Sequence, residues 1–177
     1  IAINAAGQVL ARDMGEVVIW SAGGGVTRLG PLLLPGGTAS FPVDLADDGT
    51  VLGATAYTAD TAAPYLRDPA GGLIGLGMMP GTTETWPVAM NAAGQVVGSA
   101  GGFGAACCTV FLWDPATGYR DLNALVALPP GWRIDSVAGI NDRGQIVGQA
   151  WTGSVLKPVL LSPVTAPRPV TTTRRFI

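Results

Sequence analysis

The sequence predicts an all-β protein made of four repeated units. Three observations carry that reading. A corner closing on glycine recurs at Gly7, Gly49, Gly94 and Gly144, at spacings of 42, 45 and 50 residues. A run of β-branched or aliphatic residues follows each corner, as in Gln95-Val-Val-Gly98 and Gln145-Ile-Val-Gly148. The 26 glycines and 14 prolines interrupt every window in which a helical period could run, so no convincing helix is expected. Periods of about 40–50 residues belong to stacked supersecondary units. The expected architecture is therefore four repeats of about four short antiparallel strands, forming a small four-bladed β-propeller. A β-prism, a solenoid or a sandwich are the alternatives.

Each unit reads in the same order. A short apolar strand leads into the corner, where Asn or Asp bonds its own backbone and Gly takes a positive φ. The first copy, Ala2-Ile-Asn-Ala-Ala-Gly-Gln-Val-Leu10, retains only the end of that leading strand. The second, Val43-Asp-Leu-Ala-Asp-Asp-Gly-Thr-Val-Leu-Gly53, is worn. The third and fourth, Val88 to Gly98 and Ala138 to Gly148, are sharp. After the corner and its β-branched run comes a further apolar strand: Val17 to Trp20, Pro64 to Arg67, Val110 to Trp113 and Pro158 to Leu161. Asp68-Pro-Ala-Gly-Gly72 and Asp114-Pro-Ala-Thr-Gly118 then make turns. Val26 to Leu29, Leu73 to Leu76 and Tyr119 to Leu122 supply closing strands. The strands are apolar on both faces, which suits sheets stacked between other sheets.

The expected repeat domain spans 1–167, with units at about 1–38, 39–83, 84–132 and 133–163. The fourth unit has no obvious closing strand. The β-prone, basic tail 168–177 is expected either to close the fold or to pair with a neighbour by strand addition.

Composition narrows the function classes. Charged residues are 12% and apolar residues 48%, with a mean hydropathy of +0.39. Average soluble proteins are roughly 25% charged. So sparse a charge suggests subunit contacts or a sparsely charged extracellular surface. No apolar run reaches transmembrane length, so no membrane span is expected. Residues 1–142 hold all 12 acids against five arginines, whereas residues 143–177 hold five bases and no acid. The net charge of −2 and the absence of a basic face argue against nucleic acid as a partner. The chain begins with Ile rather than Met, which reads as a mature or trimmed product.

Catalytic groups are scarce. There is no His to serve as a general base. The serines lack a Gly-x-Ser-x-Gly elbow, and Gly23-Gly-Gly25 and Gly101-Gly102 lack the Lys-Ser/Thr of a phosphate loop. Asp47-Asp48 is the only adjacent acid pair and the sole footing for a carboxylate-based glycosidase or lyase. It lies where the other repeats carry turn residues, and a turn role is the expectation. Asp44-Leu-Ala-Asp-Asp-Gly49 resembles a calcium loop but lacks the alternating acids and distant Glu of one. No Cys/His set suits zinc. No cofactor and no metal are expected.

Cys107-Cys108 is the chemical oddity of the chain. It allows a vicinal disulfide, a bond to another chain, or two free thiols. Trp20, Trp113 and Trp151 lie near equivalent strands and are expected in the core between units. Trp86 and Trp132, in the linking segments, are the candidate ligand anchors.

The pattern Met90-Asn-Ala-Ala-Gly-Gln-Val-Val-Gly98 followed by Val110-Phe-Leu-Trp113, with Ile140 to Gly148, resembles the bacterial extracellular HAF-type repeat family. The resemblance covers nearly the whole chain as four copies. It implies export and a repeat fold, and no established reaction. The family's His-Ala-Phe triplet is missing: Glu16-Val-Val18, Ala63-Pro-Tyr65, Thr109-Val-Phe111 and Lys157-Pro-Val159 stand in its place. The expected role is that of a non-enzymatic, secreted β-repeat protein with a structural or self-assembly function, homo-oligomeric or filamentous through sheet edges and the tail. A glycan- or protein-binding propeller module is the alternative.

Overall fold

The computed structural model describes residues 1–102 and 108–164. Within them the chain is all-β. Strands β1 (Ala2–Ile3), β2 (Val9–Asp13), β3 (Glu16–Ser21) and β4 (Gly25–Gly30) form one antiparallel meander. Strands β5 (Ala39–Leu45), β6 (Val51–Thr58), β7 (Thr61–Arg67) and β8 (Leu73–Gly75) form a second. Strands β9 (Glu84–Met90), β10 (Val96–Gly101), β11 (Thr109–Asp114) and β12 (Gly118–Asp121) form a third. Strands β13 (Arg133–Ile140), β14 (Ile146–Trp151) and β15 (Leu156–Leu161) form the fourth. A single parallel bridge, Ala62 to Glu84, joins the second and third meanders into one eight-stranded sheet. The result is three sheets, none closed into a barrel.

The expectation of no helix is corrected at one place. Leu122–Leu125 forms a single helical turn, α1, capped by the Asp121 carboxylate, which accepts from the Asn123 amide at 2.8 Å. Leu122 is therefore helical rather than the end of a strand. The fourth unit shows three strands among the described residues; the tail 168–177 lies outside them.

The two-faced hydrophobicity has a simple geometric origin. Successive side chains on a strand point to opposite faces. In the second strands of the two middle units an adjacent apolar pair serves two neighbours. Val51 packs with Leu10 of the first unit, while Leu52 packs with Val96 of the third. Val96 faces the second unit, while Val97 packs with Ile134 and Ile146 of the fourth. We call the first member's side the backward face and the second member's side the forward face. Leu10, Leu52 and Val97 are forward residues, and all are fully buried. The stack runs from first unit to second, second to third and third to fourth. No comparable packing joins β13–β15 to β1–β4 among the described residues.

The glycine that ends each β-branched run marks the closest approach between strands. A Cβ on Gly98 would collide with the Trp86 carbonyl oxygen and lie 2.7 Å from Phe111 Cζ. A Cβ on Gly148 would meet the Ser136 carbonyl oxygen, and one on Gly53 would lie 2.8 Å from the Phe41 carbonyl oxygen. The first unit carries Ala11 at this place. Among the described residues β1 pairs with β2 only at Ala2–Leu10 and Ile3–Val9, which stops short of Ala11.

Candidate functional site

The four glycine corners gather at one end of the stack. They border a hollow of about 410 Å³ whose lining includes Asn4, Asp44, Asp47, Asp48, Asn91 and Asp142. All four units contribute to it.

The geometry of a corner follows from its sequence. In the third unit, Asn91 Oδ1 accepts from the amides of Ala93 and Gln95 at 3.1 and 3.0 Å. Its Nδ2 donates to Gln95 Oε1 at 2.9 Å, and the Gly94 amide closes the turn on the Asn91 carbonyl at 2.9 Å. Gly94 has φ +74°, a conformation that disfavours any residue with a Cβ. Gln95 Nε2 then reaches Asp114 Oδ2 at 2.9 Å and ties the corner to the end of β11. That bond, with the Ala116 amide donating to the other oxygen, holds the Asp114 carboxyl below its ordinary range. The first and fourth corners repeat the Asn–Gln clasp at Asn4 with Gln8 and Asn141 with Gln145.

The corners are also tied to one another. Asn4 Nδ2 donates to the Ala46 carbonyl at 3.2 Å, and the Ala5 amide donates to Asp47 Oδ1 at 2.7 Å. Two units later the same pair recurs: Asn91 Nδ2 to the Asn141 carbonyl at 3.1 Å, and the Ala92 amide to Asp142 Oδ1 at 2.8 Å. Between the second and third units the tie is different. Ala46 has no side-chain amide to give, and Asp44 instead accepts from the Met90 amide at 3.0 Å and from the Leu45 amide at 2.9 Å. Asp48 turns back on its own corner and accepts from Thr50 at 2.8 Å.

The adjacent acids Asp47 and Asp48 are thus aimed at different partners. Asp48 fills the expected turn role, whereas Asp47 reaches into the preceding unit. Among the described residues no group of three His, Cys, Asp or Glu side chains is arranged to hold a metal ion. Sequence reasoning missed Asp44 and Asp142 as tethers. For Asp142 the signal lay in its alignment with Asp47: both directly follow the corner's first residue.

The aromatic candidates are engaged separately. Trp86 is half-buried, packs edge-on to Phe41 at 5.5 Å and 73°, and donates from Nε1 to Glu84 Oε2 at 3.3 Å. Arg12 stands 5.2 Å from the Phe41 ring centre on its own unit. Trp132, half-buried, packs against the core of the fourth unit with Lys157 Nζ 5.7 Å from its ring.

The expected equivalence of Trp20, Trp113 and Trp151 needs correction. Trp20 and Trp113 lie on third strands, opposite Val9 and Val96, but Trp151 ends a second strand opposite Arg133. Trp113 packs between the second and third units, whereas Trp20 is 45% exposed, with no unit among the described residues on its side. Cys108 is exposed, and Cys107 lies outside the described residues, as does any bridge between them. No helix among the described residues is long and apolar enough to cross a membrane.

A scan against protein-family models finds no match, and a search of curated proteins finds no similar sequence.

Proposed function

We propose that this chain is a non-enzymatic β-repeat protein with a structural, self-assembling role at the cell exterior, its units stacked as the blades of an open propeller arc. The observation that carries this reading is the use made of the polar groups around the hollow. Asp44, Asp47, Asp48 and Asp142 each accept a backbone amide, and three of these bonds tie one unit to the next. Carboxylates held in this way position the backbone rather than a reacting group. The sparse charge and the apolar faces fit the same role. The resemblance to HAF-type repeats supports export. Sedimentation and electron microscopy of the purified chain test the reading: particles larger than one chain are expected, and a monomer at every concentration would overturn it.

A second reading, a glycan- or protein-binding module, is favoured by one feature. Arg12, Phe41 and Trp86 form a cationic-aromatic row across three units, with Phe41 37% exposed. Tryptophan faces and edges of this kind stack on sugars and on partner side chains. A glycan array that scores hits with the wild type and loses them with Trp86→Ala or Trp132→Ala supports this reading. An array without hits removes its glycan form.

A further inference from the structure

We infer that the forward face of the fourth unit docks on the backward face of the first unit of a second copy of this chain. The inference rests on the self-assembly reading above and names the surfaces that serve it.

Three junctions inside the chain set the template. At each, a forward residue of one unit is sealed by the next: Leu10, Leu52 and Val97 are all fully buried. Val147 holds the same place in the fourth unit, directly after Ile146 as Val97 follows Val96, yet it is 47% exposed. Its cross-strand partner Leu160 is 65% exposed, whereas Leu112, the partner of Val97, packs into the core shared with the fourth unit. Among the described residues the first unit is uncovered on the opposite side. Ile3, Val9, Trp20 and Val26 stand directly across from one another on successive strands, so they share its backward face. Ile3, Trp20 and Val26 are 69%, 45% and 56% exposed.

The corners carry the same incomplete pattern. Asn4 and Asn91 are buried by the following corner, whose carbonyl oxygen takes their Nδ2. Asn141 keeps its bond to Gln145 but remains exposed. Among the described residues the Asn4 carbonyl accepts only the Gly7 amide, as the Asn91 carbonyl accepts only the Gly94 amide, while those of Ala46 and Asn141 each accept a second donor from the preceding unit. The stack therefore presents a donor and an apolar face at one end, and a matching acceptor and apolar face at the other. A second copy supplies both complements in the geometry already used within the chain. Such a contact is heterologous: it closes into a ring if the rotation allows and extends as a filament if it does not.

Sedimentation velocity over a concentration series tests this, with three variant samples beside the wild type. Val147→Asp blocks only the forward face, and Trp20→Asp blocks only the backward face. Both residues are already exposed, and circular dichroism checks that the fold persists. Each variant alone should associate at least about tenfold more weakly than the wild type, since about 1.4 kcal/mol is tenfold. An equimolar mixture should yield a discrete dimer, because one junction remains intact. If the wild type assembles and both variants assemble as well, this inference fails while self-assembly stands, through strand edges or the tail. If the wild type stays monomeric and Val147→Asp lowers its melting temperature, the two faces close within one chain, and both readings fall. A monomer indifferent to either substitution overturns both too.

Discussion

Asn91 gives its side-chain amide to the backbone carbonyl of Asn141, 50 residues away in sequence and 3.1 Å away in space. The same side chain holds its own corner with three further hydrogen bonds. One residue thus builds a turn and fastens it to the next.

Asn91→Ala should therefore cost more than the equivalent change at an end of the stack. Each buried hydrogen bond contributes about 0.5–1.5 kcal/mol net, and orphaned amides add to that, so a loss of about 2–3 kcal/mol is expected. Asn141→Ala, on an exposed corner, should cost about 1 kcal/mol or less. Chemical denaturation of the two variants measures the difference. Equal costs would mean that the tie between corners contributes nothing.

Gly98 should not accept a methyl group. The Cβ would strike the Trp86 carbonyl and the Phe111 ring, neither of which can move without disturbing the stack. Gly98→Ala is expected to lower stability by about 1–3 kcal/mol, the range for overpacking. The alanine already present at Ala11 is the internal control. Gly148→Ala, opposite the Ser136 carbonyl, should behave like Gly98→Ala.

Met14 should be improvable. It turns the chain between β2 and β3 with φ +48°, and it is 96% exposed, so no packing compensates for the left-handed backbone. Together with Gly15 at φ +88° it makes a two-residue hairpin connection that favours Asn-Gly. Met14→Asn is expected to raise stability by about 1 kcal/mol. Thermal melting in parallel with the wild type checks this.

Alkaline stability should depend on Tyr65 and Tyr119. Burial raises the pKa of both phenols, and for Tyr65 the hydrogen bond with Ser40 offsets part of that rise. A raised folded-state value means that the contribution is complete below the unfolded value, about 10, and is lost as pH climbs through the folded one. Stability should fall above about pH 10. Tyr65→Phe, which also loses the 2.8 Å bond to Ser40, should lower stability at neutral pH and flatten the alkaline decline. An unchanged slope above pH 10 would place the titrating group elsewhere.

Asp114 titrates in the opposite sense. Gln95 leads the groups that lower its pKa, so its contribution is present above the ordinary carboxylate range and fades as pH falls through the depressed value. In Gln95→Ala the Asp114 carboxyl should titrate closer to its ordinary value, as followed by carbon-detected NMR. No movement would show that the backbone amide of Ala116 suffices.

Much of this architecture can be read from the chain alone, for reasons that are local. Glycine at a positive-φ corner, an asparagine three residues before it and a glutamine after it are bound by short-range bonds. They therefore leave a repeated mark. Strand order follows from tight turns for the same reason. Ties between units were harder to see, because Asp47 and Asp142 look like ordinary turn residues until the corner ahead of them is in place. Trp20 and Trp113 make the point most clearly. They occupy one position in two units and differ in whether a described unit packs on that side, which no local pattern encodes. The turn at α1 escaped because four residues are too few to display a period, and its cap at Asp121 reads equally as a strand end.

The adjacent pair Val96-Val97 has a consequence beyond packing. Since one residue looks back and the next looks ahead, every junction obeys the same rule, and no junction carries a count. Among the described residues, the packing rule specifies how one unit is added to the next and sets no number of units. Whatever fixes the extent of such an array must act outside the rule itself, either by altering a terminal pair or by letting curvature bring the last copy round to the first.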